Sequence, residues 1–177
     1  MAQVPPAAVE PAAQSPALPA TEALTALRRR LRGYYRAVPG GDNLARRDAA
    51  VQRTVSALFV LVRPLATGRL TEANPVFPIV RIAFDGGNVD VATPPVLARS
   101  PEDGTEGTVV GLDRNRNRLL HRLTPAGLTQ VTWNNDGSRT TSFVSGPDGR
   151  TLSLHVTIRS PRLSIPVAYH LDYARTN

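Results

Sequence analysis

A chain of 177 residues, 41% apolar and 20% charged, has enough apolar surface for one folded domain and too few residues for two comfortable ones. The absence of cysteine excludes disulfides, zinc–thiolate sites and thiol nucleophiles. The net charge is +7, and all 21 basic residues are arginine, a usage that fits a GC-rich genome and speaks to solubility and partners rather than to a site. Residues 1–77 hold ten arginines against five acids, and residues 78–177 eleven against nine, so the excess lies in the first half.

Residues 1–20 contain five prolines and seven alanines with almost no charge and no periodicity. Such a segment buries too little apolar surface to offset its ordering entropy, and the expectation is a disordered tail. It is not a signal peptide, since it lacks a basic start and a long apolar run. Tails of this composition often follow cleaved leaders in exported proteins, so the expectation is a periplasmic or secreted protein whose leader has been removed. A cytoplasmic location stays open.

From Thr21 the pattern becomes helical. Thr21 suits an N-cap, Glu22 sits in the first turn, and Leu24, Leu27, Leu31, Tyr34 and Val38 recur at helical spacing up to Pro39-Gly40-Gly41. Asp42 or Asn43 begins a second helix with Leu44, Val51, Val55, Leu58, Phe59, Val62 and Leu65 on one face, ended by Pro64 and Gly68. Leu58 to Val62 is apolar enough for complete burial and far too short to span a bilayer. Two helices with a short connector predict an antiparallel hairpin over residues 21–70.

After Pro75 the usage turns to strands and tight turns. Ile79–Phe84 and Val89–Ala92 flank Asp85-Gly86-Gly87, a hairpin signal. Val96–Arg99 and Thr108–Leu112 follow around an acidic loop, Glu102 to Glu106. Then come Arg118–Leu123, Leu128–Trp133, Arg139–Val144, Thr151–Arg159 and Val167–Arg175, separated by Pro-, Asn- and Gly-containing turns. Strands at this spacing predict an antiparallel meander over residues 77–175 that curls or closes to hide its edges. Residues 21–177 therefore read as one α+β domain.

The last strand alternates Tyr169 and Tyr173 and ends in Arg175, and Gly33-Tyr34-Tyr35 stands where a Gly-x-Trp motif would, with Tyr35 in the tryptophan position. In these features the β half resembles the lipocalin-like (calycin) group of small up-and-down barrels, in which a basic residue of the last strand often closes one end. The resemblance implies a lipocalin-like barrel or half-barrel.

If the sheet closes, Val131, Trp133, Phe143, Leu154, Val156, Tyr169 and Tyr173 are expected to line the interior, either packed together or around one apolar ligand. Trp133, Phe143, Tyr169 and Tyr173 are the candidate ligand-binding residues, with Arg139 or Arg175 meeting an anionic head group. The ligand would be a small hydrophobic or amphipathic molecule. An alternative is an interaction module of the cell envelope, in which Arg28, Arg29, Arg30, Arg32 and Arg36 meet an acidic partner or membrane surface. Nucleic acid is not the expected partner, because no recognition motif accompanies the charge.

No cofactor and no metal site are expected. His155 and His170 fall on outward faces of consecutive strands, but a site including His121 would have only generic spacing. Asp113-Arg114-Asn115-Arg116-Asn117 imitates the start of a calcium loop, yet its sixth and twelfth positions are Arg118 and Thr124 instead of glycine and glutamate. Nucleophile elbows, phosphate-binding loops and zinc-protease motifs are absent, so catalysis is not expected.

Overall fold

The computed structural model describes residues 20–176. The expected tail over residues 1–20 thus lies outside the described residues, except Ala20, which begins the first helix, α1 (Ala20–Leu31). Leu27 and Leu31 are buried, and Arg28, Arg29 and Arg30 occupy the last turn, where positive charge suits the negative end of the helix dipole.

The helix stops short of its apolar pattern. Gly33–Ala37 is strand β1, not a continuation of the helix, and Tyr34 and Val38 are exposed rather than on a buried stripe. Two features favour the strand. Tyr-Tyr suits a half-buried pleated surface, and the segment fills the gap between β2 (Ile79–Asp85) and β10 (Val167–Arg175), pairing antiparallel with both. Gly33 has φ of 155°, and a Cβ there would meet Arg175 Nε at 3.1 Å, so only glycine fits without displacing that side chain.

Helix α2 (Asn43–Ser56) buries Ala50, Val51 and Val55. Beyond it the chain turns through a single 3₁₀ turn, Val60–Val62, into α3 (Arg63–Ala73). The predicted second helix is thus two, because Pro64 sits in the first turn of a new helix, where its missing N–H costs nothing. The short-connector helical pair is α2 with α3. Leu58 to Val62, expected to be buried, forms the joint between them, and Phe59, Val60, Leu61 and Val62 are all exposed. No described helix is long and apolar enough to cross a membrane.

The remaining strands are β3 (Asn88–Thr93), β4 (Val96–Pro101), β5 (Asp103–Val110), β6 (Arg116–Thr124), β7 (Gly127–Asn134), β8 (Gly137–Ser145) and β9 (Thr151–Arg159). β5 begins inside the predicted acidic loop, with a bulge between Asp103 and Glu106. The Asp113 region is a turn, as expected: the Asp113 carboxylate accepts from the Asn115 backbone at 3.0 Å. Each strand pairs antiparallel with its neighbour in the order β4-β3-β2-β1-β10-β9-β8-β7-β6-β5. β4 and β5 then meet side by side without a ladder, so the ten-stranded sheet is a nearly closed barrel. The fold is α+β, helices followed by an antiparallel meander curled into a nearly closed barrel.

The helices sit at opposite ends. Helix α1 lies against the end made by the β2–β3, β4–β5 and β8–β9 turns. Arg32 Nη2 donates to Phe84 O at 2.8 Å, Arg28 Nε donates to Glu102 Oε2 at 3.0 Å, and Gly149 packs on the Arg30 backbone. Helix α2 runs along the first half of β10, where β1 has ended. Asn43 exchanges two hydrogen bonds with the Asp172 backbone, and Thr54 Oγ1 donates to Pro166 O at 3.1 Å. Both helices contribute to one core with Tyr35, Val80, Ile82 and the inner residues of β9 and β10.

Candidate functional site

The register defines the inner surface. Leu171 stands opposite Leu154, Leu154 opposite Phe143, Phe143 opposite Leu128, and Leu128 opposite Leu123, an apolar row across five strands. The next row is Tyr169, Val156, Thr141, Gln130 and His121, and the one beyond it Val167, Ile158, Arg139, Thr132 and Leu119. The wall formed by β9, β10, β1, β2 and β3 is apolar, whereas β6, β7 and β8 add a strip of hydrogen-bonding groups. The inner residues of β7 to β10 on the apolar row pack with Leu27, Leu31, Val51 and Val55 of the helices in one core.

Tyr169, Tyr173, Phe143 and Arg139 share this inner surface. Tyr173 is fully buried, and its hydroxyl donates to Phe77 O at 3.0 Å. Burial pushes its pKa up to about 12; Tyr169 adds to the rise and Arg139 opposes it. Tyr169 is 7% exposed, and its hydroxyl has no hydrogen-bond partner among the described residues. A buried hydroxyl in that state costs free energy unless something else reaches it. Arg139 Nη1 donates to Asn74 Oδ1 at 3.1 Å. Asn74, buried at the end of α3, donates through Nδ2 to Leu70 O at 2.7 Å, and its carbonyl accepts from Arg47 Nη1 at 2.9 Å. This chain of contacts ties the α2–α3 pair to the polar strip.

The polar strip continues to His121, a residue the sequence reading did not place inside. Its Nδ1 is 2.8 Å from Ser100 Oγ and its Nε2 is 3.1 Å from Gln130 Oε1. With Gln130 Oε1 as acceptor, the imidazole proton sits on Nε2 and Ser100 donates to Nδ1. Burial lowers the pKa of the ring, which is fully enclosed, against smaller raising effects of Gln130 and Asp90. Ser100 is buried too, so the Ser–His contact faces no solvent.

Two expected site residues lie elsewhere. Trp133 is on the outer face, not the inner. It stands opposite Arg118 and Ser138, with the Arg118 guanidinium over its ring at 4.9 Å, beside a shallow outer cleft of about 350 Å³ shared with Val131, Arg159 and Pro161. Leu128 pairs inward with Phe143, which fixes the phase of β7 and turns Val131 and Trp133 out. Arg175 does face inward, but its guanidinium is committed: it lies over the Tyr35 ring and donates to the Tyr35 hydroxyl at 3.0 Å and to Arg30 O at 2.6 Å. It closes one end of the barrel, as the resemblance implies, through Nη2, while its buried Nε has no partner among the described residues.

The arginines of α1 divide similarly. Arg28 pairs with Glu102, Arg32 holds Phe84 O, and Arg30 packs at the β8–β9 turn with its Nε buried. Arg29 on α1 and Arg36 on β1 are exposed. His155 and His170 are neighbours on the outer face, ring centroids 6.1 Å apart and nearly parallel. His121, on the inner face, is not with them, and among the described residues no group of three metal-ligating side chains occurs.

No protein-family model matches the sequence, and no curated protein matches it. The fold is found among solved structures. A Schistosoma mansoni fatty acid binding protein in complex with arachidonic acid superposes with a TM-score of 0.52 at 14% identity, covering 85% of this chain and 99% of that one. The Caenorhabditis elegans lipid binding protein 8 gives 0.51 at 11% identity, covering 84% and 96%. A luciferase domain from the dinoflagellate Lingulodinium polyedrum gives 0.50 at 11% identity, covering 82% of this chain and 41% of that one. At these identities the likeness is one of fold.

Proposed function

We propose that the protein is a non-enzymatic carrier or sensor that binds one small amphipathic molecule with an anionic head inside its barrel. The observation that carries this reading is the buried Tyr169 hydroxyl, unpartnered among the described residues and on the same inner surface as the Arg139 guanidinium. A carboxylate or phosphate held between them would accept from both, while its apolar chain lies along the Leu171–Leu154–Phe143–Leu128 row. Two of the solved structures sharing the fold are by their names lipid- or fatty-acid-binding, which supports the choice of ligand class without fixing it.

Native mass spectrometry beside the same sample denatured tests the reading. A long-chain fatty acid added to delipidated protein should give a one-to-one adduct that is lost on denaturation. A clean protein mass after incubation with a total lipid extract overturns it. The composition of residues 1–20 supports an exported protein, periplasmic or secreted, which cell fractionation checks. The alternative, recognition of an acidic partner through the arginine-rich helix, loses support because Arg28 and Arg32 are engaged by the barrel itself.

A further inference from the structure

The joint between α2 and α3 is apolar and exposed. Phe59 is 70% exposed and Leu61 78%, and Val60, Val62 and Leu65 on α3 are exposed as well. The patch extends across the Thr54–Pro166 hydrogen bond to Ile165 in the β9–β10 turn, also exposed. Scattered apolar residues on a surface need no explanation, but a contiguous set does. Helix α3 meets the core through half-buried Ala66 and Leu70, and the exposed Phe59, Val60, Leu61, Val62 and Leu65 take no part in that packing.

Two further observations specify what would cover it. The joint is built to leave water: Arg63 Nε donates to Leu58 O at 3.0 Å and its Nη2 to Ser56 O at 2.9 Å, so these carbonyls are satisfied from within. Backbone polar groups that enter a hydrocarbon-like phase must be satisfied in this way. The surroundings are mostly basic, although Arg162 is paired with Asp136 at 3.0 Å. Residues 49–71 contain Arg53, Arg63 and Arg69 and no acid, and residues 153–171 contain Arg159 and Arg162 and no acid. A deformable bilayer interface accepts an exposed apolar turn, and a rim of arginine selects a negatively charged one.

We infer that the α2–α3 joint inserts into the interfacial region of a bilayer containing anionic lipid, with Phe59 and Leu61 as the inserting side chains and Arg53 and Arg69 against the head groups. Arg63 is a positioning residue that holds the turn in shape. This docking goes beyond the interior-binding reading and does not need it.

Flotation of the full chain, stripped of bound lipid, with phosphatidylcholine vesicles with and without phosphatidylglycerol tests the inference. Binding should require phosphatidylglycerol and fall steeply as salt is raised. Phe59→Asp with Leu61→Asp should weaken it by at least about tenfold, since each lost apolar side chain is worth roughly a factor of ten in partition. Both residues are exposed, so the circular dichroism and unfolding midpoint of this variant should match the parent. Arg53→Glu with Arg69→Glu should weaken it too, whereas Arg29→Glu, at the other end of the barrel, should not. Failure of the parent protein to float with anionic vesicles, or full binding by the Asp variant, overturns the inference. So does self-association that depends on Phe59 and Leu61 in the absence of vesicle binding, which would assign the patch to a second copy. Stripped protein is used so that each of these failures leaves the interior-binding reading standing.

Discussion

The guanidinium of Arg175 lies over the ring of Tyr35, 5.3 Å from its centroid, and donates to the Tyr35 hydroxyl, while that hydroxyl donates to Arg30 O at 2.6 Å. Arg175 also donates to Arg30 O and Arg32 O, carbonyls at the end of α1 that the helix itself leaves open. One side chain of the last strand therefore closes a ring of contacts among the first helix, the first strand and the end of the chain. Gly33 leaves the space for it.

Arg175→Ala should destabilise the protein by about 2 kcal/mol, the loss of charge-assisted hydrogen bonds together with a cation–π contact. Arg175→Lys should recover only part, because an ammonium cannot reach several acceptors in a plane while stacking on the ring. Urea unfolding followed by circular dichroism measures both, and equal midpoints for parent and Arg175→Ala would contradict the role.

Tyr169→Phe should leave the ligand-free protein as stable as the parent or slightly more so, since it removes a buried hydroxyl with no partner among the described residues. The same change should weaken binding of a long-chain fatty acid by about tenfold, the worth of one hydrogen bond to a charged group. Isothermal titration and thermal unfolding on the same samples separate the two effects. Unchanged affinity would remove Tyr169 from the site.

His121 gives a pH dependence of definite sign. Its folded pKa lies below the ordinary value near 6.5, because burial disfavours the cation. Between the two values the unfolded chain binds the extra proton, so stability should fall as pH drops below about 6.5 and level off once the folded ring protonates. His121→Gln should flatten this part of the curve, whatever it does to the baseline. A denaturant midpoint series over pH 7 to 5, on parent and variant, reads the difference.

Asp172 acts in the same sense over a lower pH range. Arg46 at 2.7 Å, aided by Ser153 at 2.9 Å, holds its carboxyl below the usual aspartate range. The contribution is whole above the unfolded value near 3.9 and is lost as pH falls through the lower folded value. Arg46→Ala should reduce stability at neutral pH and shrink the loss seen on acidification, a comparison that acid titration of both proteins makes directly.

Trp133 reports on the outside of the barrel. Filling the interior with fatty acid should leave its emission maximum within experimental error, whereas Arg118→Ala, which uncovers the ring, should shift it to the red. A large blue shift on fatty acid binding would place the ligand in the outer cleft instead.

Much of the architecture is legible because β9 and β10 alternate cleanly: Leu152, Leu154 and Val156 against Tyr169, Leu171 and Tyr173 all face in, and His155 and His170 meet outside as their parity requires. β7 is illegible for the same physical reason. Its apolar residues fall on both parities, Leu128 on one and Val131 and Trp133 on the other, and only the partner Phe143 selects between them. β1 is hidden because five residues carry too little pattern to oppose a helical spacing that runs through them. Pro64 supports either the end of one helix or the start of another, and packing chooses the second. The buried His121 and the orphan hydroxyl of Tyr169 have no local signature, since each depends on strands far apart in the chain.

The unladdered seam between β4 and β5 changes what kind of body the barrel is. A tube slit along its length keeps most of its resistance to bending and loses most of its resistance to torsion. Twisting motions of this wall should concentrate where Gly107 of β5 packs on Ser100 of β4 by side-to-side contact alone. Across that line no backbone ladder resists sliding, and the Ser100–His121 side-chain contact is left to tie the two edges.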